Sequence, residues 1–322
     1  MVKCNQSSPR YDKCKSIYNF KQYLLAFLLA MPCWLFAQEE PDTLHLVNST
    51  EQFIVTTKKP AHFAFITHVP RDLVQMPKQA FRKSNFKNLS IVIGSTAVLI
   101  IADQAIYNGV RKFSDNIHLK PEEDNKILWG MKSGNKETVL IKVPGNLNTA
   151  FYSLGQGFTT LLIAGGFYIQ GKISKNYTSL QTASDLAESF VTLGLVTQTL
   201  KYFTGRENPS LATINGGRWQ PFPSFSGFQN DKARYDAFPS GHLSTLMATV
   251  TILANNYPTK KWIKPVGYTI IALSGFAMIN NGVHWAGDYP LAIGLGYLTG
   301  NIITSRHKAK KTIPASSIAL AF

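Results

Sequence analysis

Apolar residues are not spread evenly along this 322-residue chain. After residue 88 they gather in six blocks, at roughly 89–107, 150–170, 182–200, 239–257, 263–282 and 286–304. Each block is about 19–21 residues long, close to the ~20 that a helix needs to cross a bilayer. No two-residue alternation long enough to compete runs through the chain, so the pattern predicts helices. Gly165–Gly166 and the series Gly287, Gly294, Gly296, Gly300 place small residues where helices can approach closely. The expectation is an all-α, six-helix bundle embedded in a membrane, with a soluble helical core as the plainer alternative.

What precedes the blocks has a different grain. Lys3, Arg10, Lys13, Lys15 and Lys21 lead into the apolar run Tyr23–Met31, and Leu35-Phe36-Ala37 offers a small residue before Gln38. Residues 1–37 therefore read as a secretory signal peptide or, uncleaved, a signal anchor. Cys4, Cys14 and Cys33 all fall inside that segment, so cleavage would leave a chain without thiol chemistry. Residues 38–88 form a basic polar leader with an amphipathic stretch over Val74–Phe81. A helical domain over 89–305 and a basic tail over 306–322 complete the expected organisation.

Net charge is +15 with 16% charged and 45% hydrophobic residues, which suits anionic partners such as lipid headgroups or phosphate esters. Nucleic acid is excluded as a partner on the lack of a zinc-ligand pattern, a basic recognition helix or an aromatic single-strand platform. Basic side chains concentrate in residues 58–88, at Lys172/Lys175, at Lys260/Lys261/Lys264 and in Arg306–Lys311. If these four groups are cytoplasmic, the remaining loops lie on the periplasmic side. A cleaved signal peptide would put 38–88 outside instead, and both orientations stay open.

Three short stretches carry candidate chemistry. Pro239-Ser240-Gly241-His242 has a helix-capping serine, a glycine that admits an anion to the backbone, and a histidine able to act as a general acid. An ordinary N-cap beside an incidental histidine is the bland reading of those four residues. His284 and Asp288 stand four apart, the spacing at which a carboxylate can orient an imidazole as nucleophile. Lys201 and Arg206 close the third block at Gly205 and could neutralise phosphoryl oxygens, although cations at a helix C-terminus are favourable for the dipole alone.

The order Lys201…Asn208-Pro209, Pro239–His242, His284…Asp288 resembles the signature of the type 2 phosphatidic acid phosphatase superfamily, whose fold is shared with bacterial non-specific acid phosphatases and vanadium haloperoxidases. The resemblance covers about residues 89–305. It implies catalytic His284, His242 and Asp288, phosphate binding by Lys201, Arg206, Ser240 and Gly241, and neither metal nor cofactor. Two positions depart from it: Asn208 stands where the family has arginine before Pro209, and Ala277-Met278 where it has Ser-Arg. The expected function is a metal-independent phosphatase acting on a lipid phosphate or lipid pyrophosphate through a phosphohistidine, in an inner membrane with the site facing the periplasm. The rivals are a soluble periplasmic acid phosphatase and a catalytically impaired phospholipid-binding relative.

Overall fold

The computed structural model describes residues 43–47, 52–57, 59–121, 125–133, 136–307 and 311–313. The expected signal segment, its cysteines and most of the basic tail lie outside the described residues. Among those that are described, ten α-helices dominate: α1 (Ala64–Thr67), α2 (Val69–Ala80), α3 (Phe86–Asn116), α4 (Leu147–Gly155), α5 (Gly157–Ile173), α6 (Tyr177–Thr204), α7 (Phe225–Asn230), α8 (Gly241–Asn256), α9 (Ile263–Asn280) and α10 (Tyr289–Ser305).

The six apolar blocks map onto α3, α4 with α5, α6, α8, α9 and α10, so the all-α bundle stands. The second block differs from a single helix because Gln156 takes an extended conformation and breaks it. Tertiary packing accompanies the break: a Cβ on Gly157 would sit 2.5 Å from the Phe190 ring of α6. Strands are peripheral. β1 (Thr43–Val47), β2 (Gln52–Thr56) and β5 (Lys311–Ile313) make one small antiparallel sheet, and β3 (Asn125–Ser133) with β4 (Lys136–Pro144) a hairpin between α3 and α4.

Helix ends follow local chemistry. Ser240 caps α8 by accepting from Leu243 N, and Asn176 caps α6 by accepting from Ser179 N. Gly205 ends α6 in the left-handed region at φ 55°, where a side chain would also strike the Gln220 carbonyl. Close glycines decide the tightest crossing. A Cβ on Gly296 would lie 2.2 Å from Ser244 O, and one on Gly300 2.8 Å from Thr251 Cβ, so α10 lies flush and parallel on α8. Gly165 differs from Gly296 and Gly300, since its Cβ would meet nothing within 4 Å.

Two clusters form the main core. Phe167, Leu186, Ile252 and Tyr257 knit α5, α6 and α8, while Leu243, Met247, Met278 and Ala292 knit α8, α9 and α10. The leader also contributes: Met76 of amphipathic α2 packs with Leu193, Ala248 and Ile302. Antiparallel runs of α6 and α8 set Lys201 and His242 at one end, and Asn256, bonded to Thr182 and Asp185, at the other. The α5–α6 turn, the α8–α9 turn and the end of α10 share that second end, where the expected basic groups Lys172, Lys175, Lys260 and Lys261 reside. Among the described residues, two helices, Lys83–Asn116 and Ile263–Asn280, are long and apolar enough to cross a membrane; the first is almost wholly exposed and the second half buried.

Candidate active site

The end of α6, the start of α8 and the turn between α9 and α10 converge on the candidate residues. The rings of His242 and His284 meet edge to face with centroids 5.9 Å apart. His284 is buried, and its Nδ1 lies 2.7 Å from the Ala237 carbonyl oxygen and 3.4 Å from Asp288 Oδ2. A carbonyl oxygen only accepts, so Nδ1 carries the proton and Nε2 keeps its lone pair. Burial, reinforced by the charge of Lys201, lowers the His284 imidazole to about 3, so the ring is neutral at ordinary pH. This is the state a nucleophile needs.

The orienting carboxylate is therefore not the nearest partner of the imidazole, as the four-residue spacing implies. Asp288 Oδ2 accepts from the Trp285 N–H at 2.8 Å, and its Oδ1 accepts from Arg206 at 2.6 Å. Asp288 fixes the turn that presents His284, while the Ala237 carbonyl sets the tautomer.

Arg206 requires a correction. The expected phosphate ligand is fully buried and committed elsewhere: it donates to Asp288, to Asp103 Oδ2 at 2.5 Å and to Gly216 O at 2.7 Å. Its guanidinium also stacks by Trp219 and Trp285, at 4.8 and 5.4 Å from the ring centroids. The left-handed turn at Gly205 rotates the chain so that Arg206 points into the bundle. Lys201 differs: buried in the last turn of α6, it has Asp236 Oδ2 at 3.7 Å and sits close enough to depress His284. Ser240 is buried, while Gly241 and His242 are partly exposed, so the site opens at the start of α8. A Cβ on Gly241 would find Thr197 Oγ1 at 3.7 Å as its nearest neighbour, leaving the backbone approachable.

The two departures have different surroundings. Met278 is fully buried in an apolar cluster, with Ser240 Oγ 3.9 Å from its sulfur. Asn208 is buried, and its Oδ1 has no hydrogen-bond partner among the described residues. The Asn280-Asn281 pair ties helices: Asn280 donates to Asn148 Oδ1 and Leu119 O, and Asn281 accepts from Asn148.

Residues 182–311 match the family model described as the PAP2 superfamily. Over that segment the chain is similar to the PAP2 superfamily. The segment contains Lys201, Arg206, His242, His284 and Asp288. A lipid A 1-phosphatase of Porphyromonas gingivalis is 30% identical over 90 residues, 28% of this chain but only 19% of that protein's length. The crystal structure of a transmembrane PAP2-type phosphatidylglycerolphosphate phosphatase from Bacillus subtilis covers 76% of this chain and 95% of its own, at 15% identity and a TM-score of 0.39.

Part of the candidate site is built from outside the matched segment. Asp103, in the middle of α3, neutralises Arg206 and accepts from Gly287 N at 2.7 Å, pinning α3 onto the turn before α10. Sequence reading missed it. The signal was present, since a lone carboxylate in an apolar block of spanning length demands a buried partner. Asp236 and Ala237 were missed for a plainer reason, because a backbone carbonyl and a loop carboxylate leave no motif. Glu207 closes the 207–237 loop, accepting from the N–H groups of Thr213 and Arg218 at 2.9 and 3.0 Å. Burial by itself would raise this carboxyl, but those donors and the Thr213 hydroxyl hold it below the ordinary glutamate value.

Proposed function

We propose that this chain is a phosphatase acting on a lipid phosphate or lipid pyrophosphate, with His284 as nucleophile. The observation that carries the reading is the 2.7 Å contact between His284 Nδ1 and the Ala237 carbonyl, which leaves Nε2 unprotonated beside His242. In the first step Nε2 attacks phosphorus and the bond from phosphorus to the leaving oxygen breaks. His242, which burial and the neighbouring His284 and Lys201 keep neutral in the free site, takes up a proton as the phosphate dianion binds and passes it to that oxygen. Water then adds to the phosphohistidine, the N–P bond breaks, phosphate leaves and His242 takes up the proton lost by water. Lys201 and the free N–H groups at the start of α8 receive the phosphoryl oxygens. No step requires a metal.

Membrane placement supports a lipid substrate: α3 presents an exposed apolar length sufficient to span, and the matched relative is named for a lipid phosphate. In that placement the basic second end of the bundle faces the cytoplasm and the site faces the periplasm. The decisive experiment is phosphate release from lipid and soluble phosphates in mixed micelles, with and without EDTA, alongside acid-quench trapping of labelled phosphate on the protein. Turnover by a His284→Ala protein equal to wild type would end the nucleophile reading. Loss of turnover with EDTA would end metal independence, and recovery of active chain without detergent would favour the soluble acid phosphatase. Burial of neutral Met278 where the family has arginine favours one further reading, a protein that binds phospholipid without hydrolysing it. Silence on every phosphate together with tight lipid binding would establish that.

A further inference from the structure

A groove of about 350 Å³ runs between α1, α5 and α6, away from the candidate active site. Its α6 wall ends at Ala187, fourteen residues before Lys201, which is about 21 Å along a helix. The walls are apolar, from Leu161, Ala164 and Tyr168 of α5 to Leu180 and Ala183 of α6. Gly165 lies in the floor with nothing within 4 Å of where its Cβ would be. The hydroxyl of Ser184, also in the wall, is shielded from solvent and has no partner among the described residues. Exposed Lys59 and Lys172 add positive charge, and no carboxylate lies among the lining residues. Outside the groove the apolar surface of α5 continues through Leu162, Ile169 and Ile173.

We infer that this groove is a second lipid site, holding one acyl chain of an anionic glycerophospholipid with its phosphate against Lys59 and Lys172. Size and lining fit a chain, being in the range of ligand-binding clefts. Charge then selects the headgroup: the lysines carry no local countercharge in the groove, and they belong to the basic end of the bundle. Gly165 keeps the floor open. A side chain would cost nothing sterically to the fold and would fill the space a lipid chain needs.

The inference rests on the membrane placement proposed above. The test is native mass spectrometry of the full chain, delipidated in detergent and titrated with phosphatidylglycerol or phosphatidylcholine of the same chains. Phosphatidylglycerol should be retained more strongly, by about fivefold per lysine and roughly 25-fold for the two. Gly165→Phe should abolish retention, and the double variant Lys59→Gln/Lys172→Gln should bring the two lipids level. Both variants should keep wild-type phosphate release. The lysine pair, being exposed, decides the matter should Gly165→Phe fail to fold. Equal retention of the two lipids by wild type, or displacement of phosphatidylglycerol by millimolar inorganic phosphate, overturns the site. Chain that stays soluble without detergent would instead overturn the membrane placement, so the two failures are distinguishable.

Discussion

Consider replacing Arg206 by glutamine. The guanidinium neutralises two fully buried carboxylates, at 2.6 Å from Asp288 and 2.5 Å from Asp103, and bonds the Gly216 carbonyl at 2.7 Å. Glutamine keeps one amide donor pair and no charge, so two carboxylates that share an interior lose their countercharge. Breaking a buried ion pair by removing one partner costs about 3–5 kcal/mol. At about 2–4 °C per kcal/mol for a chain of this size, the melting temperature should fall by roughly 6–20 °C. The assay is thermal unfolding in detergent followed by tryptophan fluorescence, because Trp219 and Trp285 stack on the lost group. Adding Asp103→Asn to Arg206→Gln removes one of the stranded charges and should recover part of the loss. Activity should fall as the turn carrying His284 loosens, in step with stability. An Arg206→Gln protein with unchanged melting temperature but weakened inhibition by phosphate or vanadate would refute this reasoning and make Arg206 a phosphate ligand.

Five further outcomes rest on the same geometry. His284→Ala should abolish turnover, while Asp288→Asn should lower turnover and melting temperature together, since Asp288 holds Arg206 and the turn while the Ala237 carbonyl still sets the tautomer. Met278→Arg should destabilise the chain without raising turnover, because the side chain would enter a closed apolar cluster; a gain in turnover would show that a cation can reach the phosphate from there. Gly296→Leu should cost several kcal/mol or prevent folding, read as lost detergent-soluble monomer, given the 2.2 Å approach to the Ser244 carbonyl. For His284, the folded imidazole is lowered to about 3 against the ordinary 6.5, so below 6.5 the unfolded chain binds a proton that the fold refuses. Its contribution is complete above pH 6.5 and is lost as pH falls toward 3, at about 1.4 kcal/mol per unit; melting curves of His284→Asn should lose less between pH 7 and pH 5 than those of wild type.

Much of the fold was legible because its signals are local. The six apolar blocks, the stop at Gly205 and the cap at Ser240 each depend on a few neighbouring residues, and each appears where the chain places it. Lys201, His242 and His284 also fall together because α8 runs antiparallel to α6, and the turn between α9 and α10 returns the chain to the same end. Direction and depth were not legible. Arg206 lies five residues beyond Lys201, yet it points into the bundle, since its partners Asp103 and Asp288 come from far along the chain. Gly165 and Gly296 look alike in sequence, but one borders an open groove and the other a backbone carbonyl. The histidine tautomer rests on the Ala237 carbonyl, a group every residue possesses. Periodicity and capping are properties of neighbours in sequence, so the chain alone determined them. Which charge is matched, which glycine is crowded and which ring nitrogen is free depend on contacts between residues tens to hundreds of positions apart, and only the tertiary structure decided those.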